Sequence, residues 1–406
     1  MWKKADVEEE KLRFVAERLA GEVSMTELCE RYGVSRETGY ELMRRYAADG
    51  VLAVQACSRA PRRQASATGA AEVAAIVALR ERRPFWGPKK LRASLQRDRP
   101  ERAWPAASTI GDILLRHGLV TGRRRRRSAL PQTRPFAAIT QPNDLWCVDF
   151  KGWLRTGDGT RCDPFTVTDA DSRYLLDCRI VAPTHDGVFP AMERLLREHG
   201  LPRAIRSDNG PPFASTGAAG LTRLSVHWLK LGIALERIEP GKPQQNGRHE
   251  RMHATLKAQT TRPPAANPAA QQMRFDSFRH EFNTDRPHEA LGQATPASRW
   301  QPSPRPYPTR IEDLVYPADH AVRRVRSSGE IKWGGNLVFV SEALIGEPVG
   351  IAETENGDFV VRFAGLDLGL IERAGTKMRR FTAPRPGRRK AKPEQTGKTV
   401  NHVTGP

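Results

Sequence analysis

Three acidic residues stand in contexts that could do chemistry. Asp149 lies inside the run LWCVDF, with Cys147 and Val148 before it and Phe150 after it. A carboxylate in so apolar a strand is costly unless it is paired or binds a metal. Asp208 ends a second short run in AIRSDNGPPF, and Glu250 follows a helix start at Asn246 by four residues. Strand, strand end and helix are three separate segments. In a mixed α/β sheet they can converge at one edge and hold divalent cations, which as hard ions take oxygen ligands. Taken singly, Asp208-Asn209-Gly210 also reads as a turn, and Glu250 as a solvated helical residue. Asp149 is the hardest of the three to explain as structure alone.

The elements that must position these residues follow from periodicity. In LWCVDF, Leu145, Cys147 and Asp149 alternate with Trp146, Val148 and Phe150, as on the two faces of a strand. A turn at Thr156–Gly159 follows. Two more strands are expected over Asp163–Thr168 and Tyr174–Val181, joined by the turn Asp169-Ala170-Asp171-Ser172. Then come a helix over Asp186–His199, a strand at Ala204–Ser207, a helix over Ala219–Leu231 and a strand at Ile233–Ile238. The loop EPGKPQQNG leads into a helix over Asn246–Thr260. Residues 261–272 read as a loop, and Met273–Trp300 as helical up to the break at NTDRPHEALGQATP. The order is that of a mixed α/β domain over residues 140–300.

Upstream, residues 8–48 read as three helices. The first carries Leu12, Val15, Ala16 and Leu19 at helical spacing. Ser24 with Glu27 is a capping-box pattern. Leu28, Tyr32 and Val34 form an inward face, Gly33 a turn, and Ser35 a second cap. This is helix-turn-helix spacing, which an ordinary helical hairpin shares. The last helix would expose Arg36, Thr38, Tyr40, Arg44 and Arg45 for phosphate and base contacts. The expected domains are a helix-turn-helix unit at 1–55 and a second helical DNA-binding unit at 69–120, with Ile110, Ile113, Leu114 and Leu119 inward. A basic linker at 121–139 contains Arg123, Arg124, Arg125, Arg126 and Arg127. That run cannot pack a core, and can track a DNA backbone by counterion release or serve as a solvated tether. Residues 318–374, with turns at Ser328-Gly329, Gly334-Gly335 and Asn356-Gly357, are expected to form a small β-barrel of about five strands. The tail 377–406 holds nine Lys/Arg and one Glu. It is expected to be disordered.

Composition agrees with a polyanionic partner. The 406 residues carry 66 Lys+Arg against 46 Asp+Glu, a formal net charge of +20. The basic residues recur in several blocks. Cys29, Cys57, Cys147, Cys162 and Cys178 include no CxxC pair and no closed disulfide framework, as in a reducing cytoplasm. The start MWKKADVEEE does not read as a signal peptide. No apolar stretch is long enough to span a membrane.

The stretches WCVDFKG, TDADSRY, IRSDNGPPF, PGKPQQNGRHERMHATLK and FNTDRPHEALGQATP, in that order, resemble the integrase core of retroviral integrases and of many bacterial insertion-sequence transposases of the DDE type. That resemblance implies an RNase-H-like fold and a metal-dependent DNA transposase. Its three acidic ligands map onto Asp149, Asp208 and Glu250. Asp149 would bridge two Mg²⁺ ions, for which Mn²⁺ can substitute, and Asp208 and Glu250 would hold one each. The ions would help a water free the 3′-OH of an element end, which then attacks target DNA. The partners implied are double-stranded DNA, as element terminal repeats and target, and further copies of the chain assembled on it. The family usually places fewer residues between the second aspartate and the glutamate than the 41 (209–249) found here, and the excess is expected in ASTGAAGLTRLS. Lys257, seven residues after Glu250 and on the same helical face, can grip a phosphate or simply face solvent. Asn246 reads as a cap, and Asn283, Arg286 and His288 as structural. A DNA-binding repressor that has lost catalysis and a nuclease for RNA–DNA hybrids are the competing readings. The three intact carboxylates oppose the first, and the helix-turn-helix units the second.

Overall fold

In a computed structural model the described residues are 7–55, 67–120, 139–238, 247–373 and 375–381. The chain divides into two compact units, Met1–Gly69 and Ala70–Pro406.

The first unit is three helices, α1 (Val7–Ala20), α2 (Met25–Tyr32) and α3 (Arg36–Asp49), followed by a short 3-10 turn. Ser24 and Ser35 accept hydrogen bonds from the backbone N–H groups of Glu27 and Thr38, and so cap α2 and α3. Gly33 ends α2 at φ 65°, a left-handed position that suits glycine. The core is Phe14, Val15, Met25, Leu28, Cys29 and Leu42, with Tyr32 and Val34 packed beside it. One expectation is corrected here. Leu12 and Leu19 of α1 lie exposed, and Phe14 takes the inward place with its ring against Tyr32 at 5.4 Å. Phe14 and Val15 together face α2, α3 and the turn after them, which leaves Leu12 and Leu19 outside.

α3 crosses the other two helices at Gly39. A Cβ there would lie 2.6 Å from Cys29 Sγ, 3.0 Å from Met25 Sδ and 3.1 Å from Phe14 Cζ. Gly39→Val is therefore expected to destabilise this unit by roughly 1–3 kcal/mol through overpacking. The check is the first thermal transition of the full chain. An unchanged transition would mean that the crossing is looser than this spacing.

The second unit begins with α4 (Ala70–Arg82), α5 (Pro88–Asp98) and α6 (Ala107–Arg116). They close on Ile76, Leu79, Trp86, Leu91, Leu95, Trp104, Ile110, Ile113 and Leu114, with Leu119 partly buried beside them. The α/β domain follows. Its strands are β1 (Leu145–Phe150), β2 (Leu154–Arg155), β3 (Arg161–Cys162), β4 (Pro164–Asp169), β5 (Leu175–Ile180), β6 (Ala204–Ser207) and β7 (Ala234–Arg237). Its helices are α7 (His185–His199), α8 (Arg223–Lys230), α9 (Gly247–Thr260) and α10 (Pro268–Thr284). The main sheet runs β5-β4-β1-β6-β7, antiparallel on the β4 side of β1 and parallel on the β6 side. This is the mixed sheet expected of an RNase-H-like core.

The alternation in β1 sorts its side chains as expected. Trp146 and Val148 join Phe165, Val167 and Leu176 under α7 and α8. On the other face, α9 and α10 place Met252, Leu256, Phe275, Phe278 and Phe282 over Leu175 and Cys178. The expected loop at 261–272 is shorter than the composition implied. Asn267 caps α10 by accepting from Ala270 N–H, and Pro268 takes the first helical position. Asn and Pro there start a helix rather than prolong a loop.

α10 also covers the open edge of the sheet. β5 is an edge strand, and an uncovered edge invites pairing with other chains. Asn283 brackets Leu175, accepting from its N–H at 2.8 Å and donating to its carbonyl at 3.0 Å. Gln272 likewise accepts from Ile180 N–H and donates to Cys178 O, both at 2.9 Å. Arg279 donates to Leu176 O at 3.0 Å. The structural role expected for Asn283 is thus visible bond by bond.

The three-helix cluster α4–α6 lies against the end of α10. Arg83 forks between Glu281 at 2.7 Å and Asp285 at 2.6 Å, and Lys89 pairs with Glu289 at 2.6 Å. Lys90 donates to Pro287 O and Arg97 to Asp285 O.

The C-terminal region departs from expectation. Its strands are β8 (Ala321–Arg324), β9 (Glu330–Trp333), β10 (Asn336–Phe339), β11 (Pro348–Glu353), β12 (Phe359–Phe363), β13 (Leu366–Ile371) and β14 (Met378–Arg380). They form an open sheet in the order β14-β13-β12-β11-β8 and a separate β9–β10 hairpin, not a closed barrel. The hairpin turns at Gly334 and Gly335, both with positive φ. The apolar face needs no closure because it is covered from outside. Ile331 and Val338 of the hairpin and Ala218, Leu221 and Val226 of the α/β domain pack on Val349, Ile351, Val361 and Phe363. The stretch ASTGAAGLTRLS, expected as the excess before α8, supplies Ala218 and Leu221 to that cover.

Candidate active site

Asp149 is the fifth residue of β1, and Thr166 of β4 lies directly across the ladder from it. On the other side β1 runs parallel to β6, with Cys147 opposite Arg206. Two residues further in this register, Asp149 comes level with Asp208, which directly follows β6. Glu250 stands in the first turn of α9. The sheet thus presents two aspartates at adjacent strand ends, and α9 crosses that end with the third carboxylate.

The electrostatics record the same convergence. The Asp149 side chain is 22 % exposed. Its pKa is raised to about 7, first by burial, then by the charge of Asp208, with Glu250 adding to the effect; the Phe150 N–H and Lys151 oppose it. Two like charges and a dry setting both disfavour the anion. Asp208 and Glu250 are themselves exposed. Asp208 also accepts from Gly210 N–H at 3.2 Å, so the turn reading holds alongside the clustering.

Lys257 is exposed on α9. It reaches a neighbour that the sequence reading passed over. Lys151, two residues after Asp149, has its pKa lowered by burial first and then by Lys257.

His249 and His253 were also missed. Both are buried, and their rings meet edge to face at 4.6 Å. Burial holds both neutral, with pKa values pushed down to about 3 and about 2. His253 Nδ1 lies 3.9 Å from Asp149 Oδ2. The spacing H-x-x-x-H on one helix face was the available signal. Hydrophobic periodicity does not register it.

On α3, Arg36, Thr38, Tyr40 and Arg44 are exposed as expected. Arg44 pairs with Glu41 at 2.7 Å. Arg45 differs: it is half-buried and donates to Gln55 O at 3.1 Å, held by the turn that follows α3. Arg123, Arg124, Arg125, Arg126 and Arg127 lie outside the described residues, as do Asn246 and the 377–406 tail except Lys377–Phe381. Among the described residues no helix is long and apolar enough to cross a membrane. Four of the cysteines, Cys29, Cys147, Cys162 and Cys178, are buried.

The donor set suits a hard divalent cation. The charges of Asp208 and Glu250 and the burial of Asp149 all disfavour its anion, which a hard divalent cation would relieve; among the described residues, the ligand atoms that lie within 4.8 Å of one another are those of Asp149, His249 and His253. Protons compete for the same site. Asp149 would bind a cation only as the anion, so apparent Mn²⁺ affinity is expected to fall as pH drops below about 7. The fall approaches about tenfold per pH unit while one carboxylate proton must leave. Above that pH it should level off. Titration of the protein with Mn²⁺ at several pH values checks this, and a flat profile would remove Asp149 from the ligand set.

The chain is similar to several known proteins. Residues 139–243 and 231–296 each match an integrase core domain family. Residues 10–62 match a helix-turn-helix domain family and 38–114 a homeodomain-like one. An uncharacterized 31.7 kDa protein of insertion element IS407 from Burkholderia multivorans is 28% identical over 230 residues, 55% of this chain and 78% of the relative. An uncharacterized 39.2 kDa protein of insertion element IS476 from Xanthomonas euvesicatoria is 30% identical over 183 residues, 43% of this chain and 50% of the relative. Among solved structures, the HTLV-2 integrase catalytic core domain in complex with magnesium aligns at 16% identity and TM-score 0.32, covering 39% of this chain and 97% of that one.

Proposed function

We propose, from the premise that the chain is an integrase-core protein of the insertion-element transposase family, that it is a DDE transposase that cleaves element ends and transfers their 3′-OH strands into target DNA. What supports this reading is that Asp149 and Asp208 come level at adjacent strand ends and that the Asp149 pKa is raised by burial first and then by the charges of Asp208 and Glu250. Asp149, Asp208 and Glu250 would hold Mg²⁺ or Mn²⁺. When bound, such ions activate the attacking oxygen and stabilise the departing one.

The protein's own side chains do the rest. Lys151 and Lys257 would hold the phosphate that faces the carboxylates, because an anion between two ammonium groups offsets their mutual repulsion. Arg36, Thr38, Tyr40 and Arg44 of α3 would enter the major groove of a terminal repeat, with Arg45 supporting the turn behind them. Arg123 to Arg127 would follow the backbone between domains. A chain that joins two element ends to one target is expected to work as a homo-oligomer on double-stranded DNA, in the bacterial cytoplasm.

The test is strand joining. DNA flanking the coding sequence is searched for inverted repeats, and a labelled repeat is mixed with purified protein, target DNA and Mg²⁺. Nicking and joined products are expected. A protein that binds the repeat tightly, binds no divalent cation and makes no product would instead be a repressor.

A further inference from the structure

Behind Asp149 lies a closed knot of hydrogen bonds that the proposed reaction does not use. Thr166 Oγ1 lies 2.7 Å from His249 Nε2, 2.7 Å from His253 Nε2 and 3.1 Å from the carbonyl oxygen of Asp149. Thr168, on the same strand face, lies 2.9 Å from His249 Nδ1. All four side chains are buried. The threonine hydroxyl carries one proton and faces three partners, of which the carbonyl only accepts. If it donates to Asp149, both imidazoles donate Nε2–H to it. If it donates to one imidazole, the other donates to it. In either case both Nε2 atoms are engaged, and Thr168 engages the second nitrogen of His249.

The engagement matters because of what these nitrogens could otherwise do. Asp149, His249 and His253 offer ligand atoms that all lie within 4.8 Å of one another. Two imidazoles and a carboxylate are a donor set for zinc, cobalt or nickel, whereas magnesium takes oxygen. A site that needs hard cations must keep such a set from forming.

We infer that Thr166 is a metal-selectivity residue: with His253 Nδ1 facing Asp149, it holds His249 Nε2 while Thr168 holds His249 Nδ1, so the second imidazole is withheld and the two-histidine donor set is not completed. The inference rests on the proposed reading of Asp149 as a metal ligand. Thr166 touches no substrate and acts through the histidines, so it is a positioning residue. The relation is local to the β1–β4 ladder and the first turns of α9.

The test uses the full chain, freed of metal, with Co²⁺ followed by its visible absorption and Mn²⁺ by calorimetry. Thr166→Val is expected to raise Co²⁺ affinity at least about tenfold, the scale on which groups behind a metal ligand tune its affinity. Mn²⁺ binding should not tighten. The gain should vanish when His253→Ala is added, and Thr166→Ser should keep the wild-type preference. A natively folded Thr166→Val protein without the gain overturns the inference, and so does a gain that survives loss of His253. Should Thr166→Val not fold, Thr168→Val frees His249 Nδ1 and is expected to give a smaller gain in the same direction; its absence also counts against Thr166. Wild-type protein that binds neither ion, or binds them unchanged in Asp149→Asn, overturns the Asp149 ligand reading and the inference with it. Wild-type Mn²⁺ binding that is lost in Asp149→Asn, with no Co²⁺ gain on freeing the histidines, overturns the Thr166 inference alone.

Discussion

If the proposed function holds, Asp149→Asn is expected to lower end cleavage and strand transfer by about a thousandfold or more, since it removes a proposed metal ligand. DNA binding should persist, because the exposed face of α3 is untouched. The structure also separates this loss from a folding defect. With its pKa raised to about 7, Asp149 holds a proton in the folded chain that the unfolded chain releases. Between the ordinary carboxylate range and about pH 7 the folded state therefore binds more protons, and stability falls as pH rises. Asparagine abolishes that penalty. The metal-free variant should melt at the same temperature as the wild type or higher at neutral pH, while activity disappears. A variant that melts markedly lower would be inactive for the wrong reason. One that still joins strands would exclude Asp149 from the chemistry.

Asn283→Ala carries the second large effect, on stability. The side chain is buried and satisfies both backbone groups of Leu175 on the edge strand β5. Alanine leaves a buried N–H and a buried carbonyl without these partners, at a cost of about 1–3 kcal/mol for each group. Water entering the space would offset part of it, so a loss of roughly 2–4 kcal/mol is expected. Denaturant unfolding of the full chain measures it. A loss below about 0.5 kcal/mol, the range of an ordinary surface substitution, would show that α10 packs on β5 by apolar contact alone. A gain of intermolecular association would be the second sign, because the uncovered edge can pair with another chain.

How much of this was legible in the sequence follows the range of each physical signal. Helix caps are local, and Ser24, Ser35 and the glycine turn at Gly33 stood where their spacing put them. Strand alternation is local too, and it placed Trp146 and Val148 opposite Asp149 before any partner was known. Where a choice depended on the partner, the pattern failed. Leu12, Val15 and Leu19 share helical spacing, yet of these only Val15 is buried, with Phe14 beside it. The seven C-terminal strands had the turns of a barrel, but the cover for their apolar face comes from Ala218, Leu221 and Val226, about a hundred residues upstream. Asn267-Pro268 looked like loop because both residues punctuate, and only the helix that follows decides which way.

The three carboxylates divide in the same manner. Asp149 was marked by the sequence itself, because a charge inside an apolar strand needs a reason wherever that strand goes. Asp208 and Glu250 each fitted a turn or a solvated helix, and motif resemblance alone picked them out. The tertiary structure decides what they share: the β1–β6 register brings Asp208 level with Asp149, and α9 carries Glu250 across the same sheet end. It also supplies what no local pattern holds, the contact of Thr166 with two histidines more than eighty residues away. Periodicity states which face a side chain takes. Which other side chain it meets there is fixed only when distant segments pack.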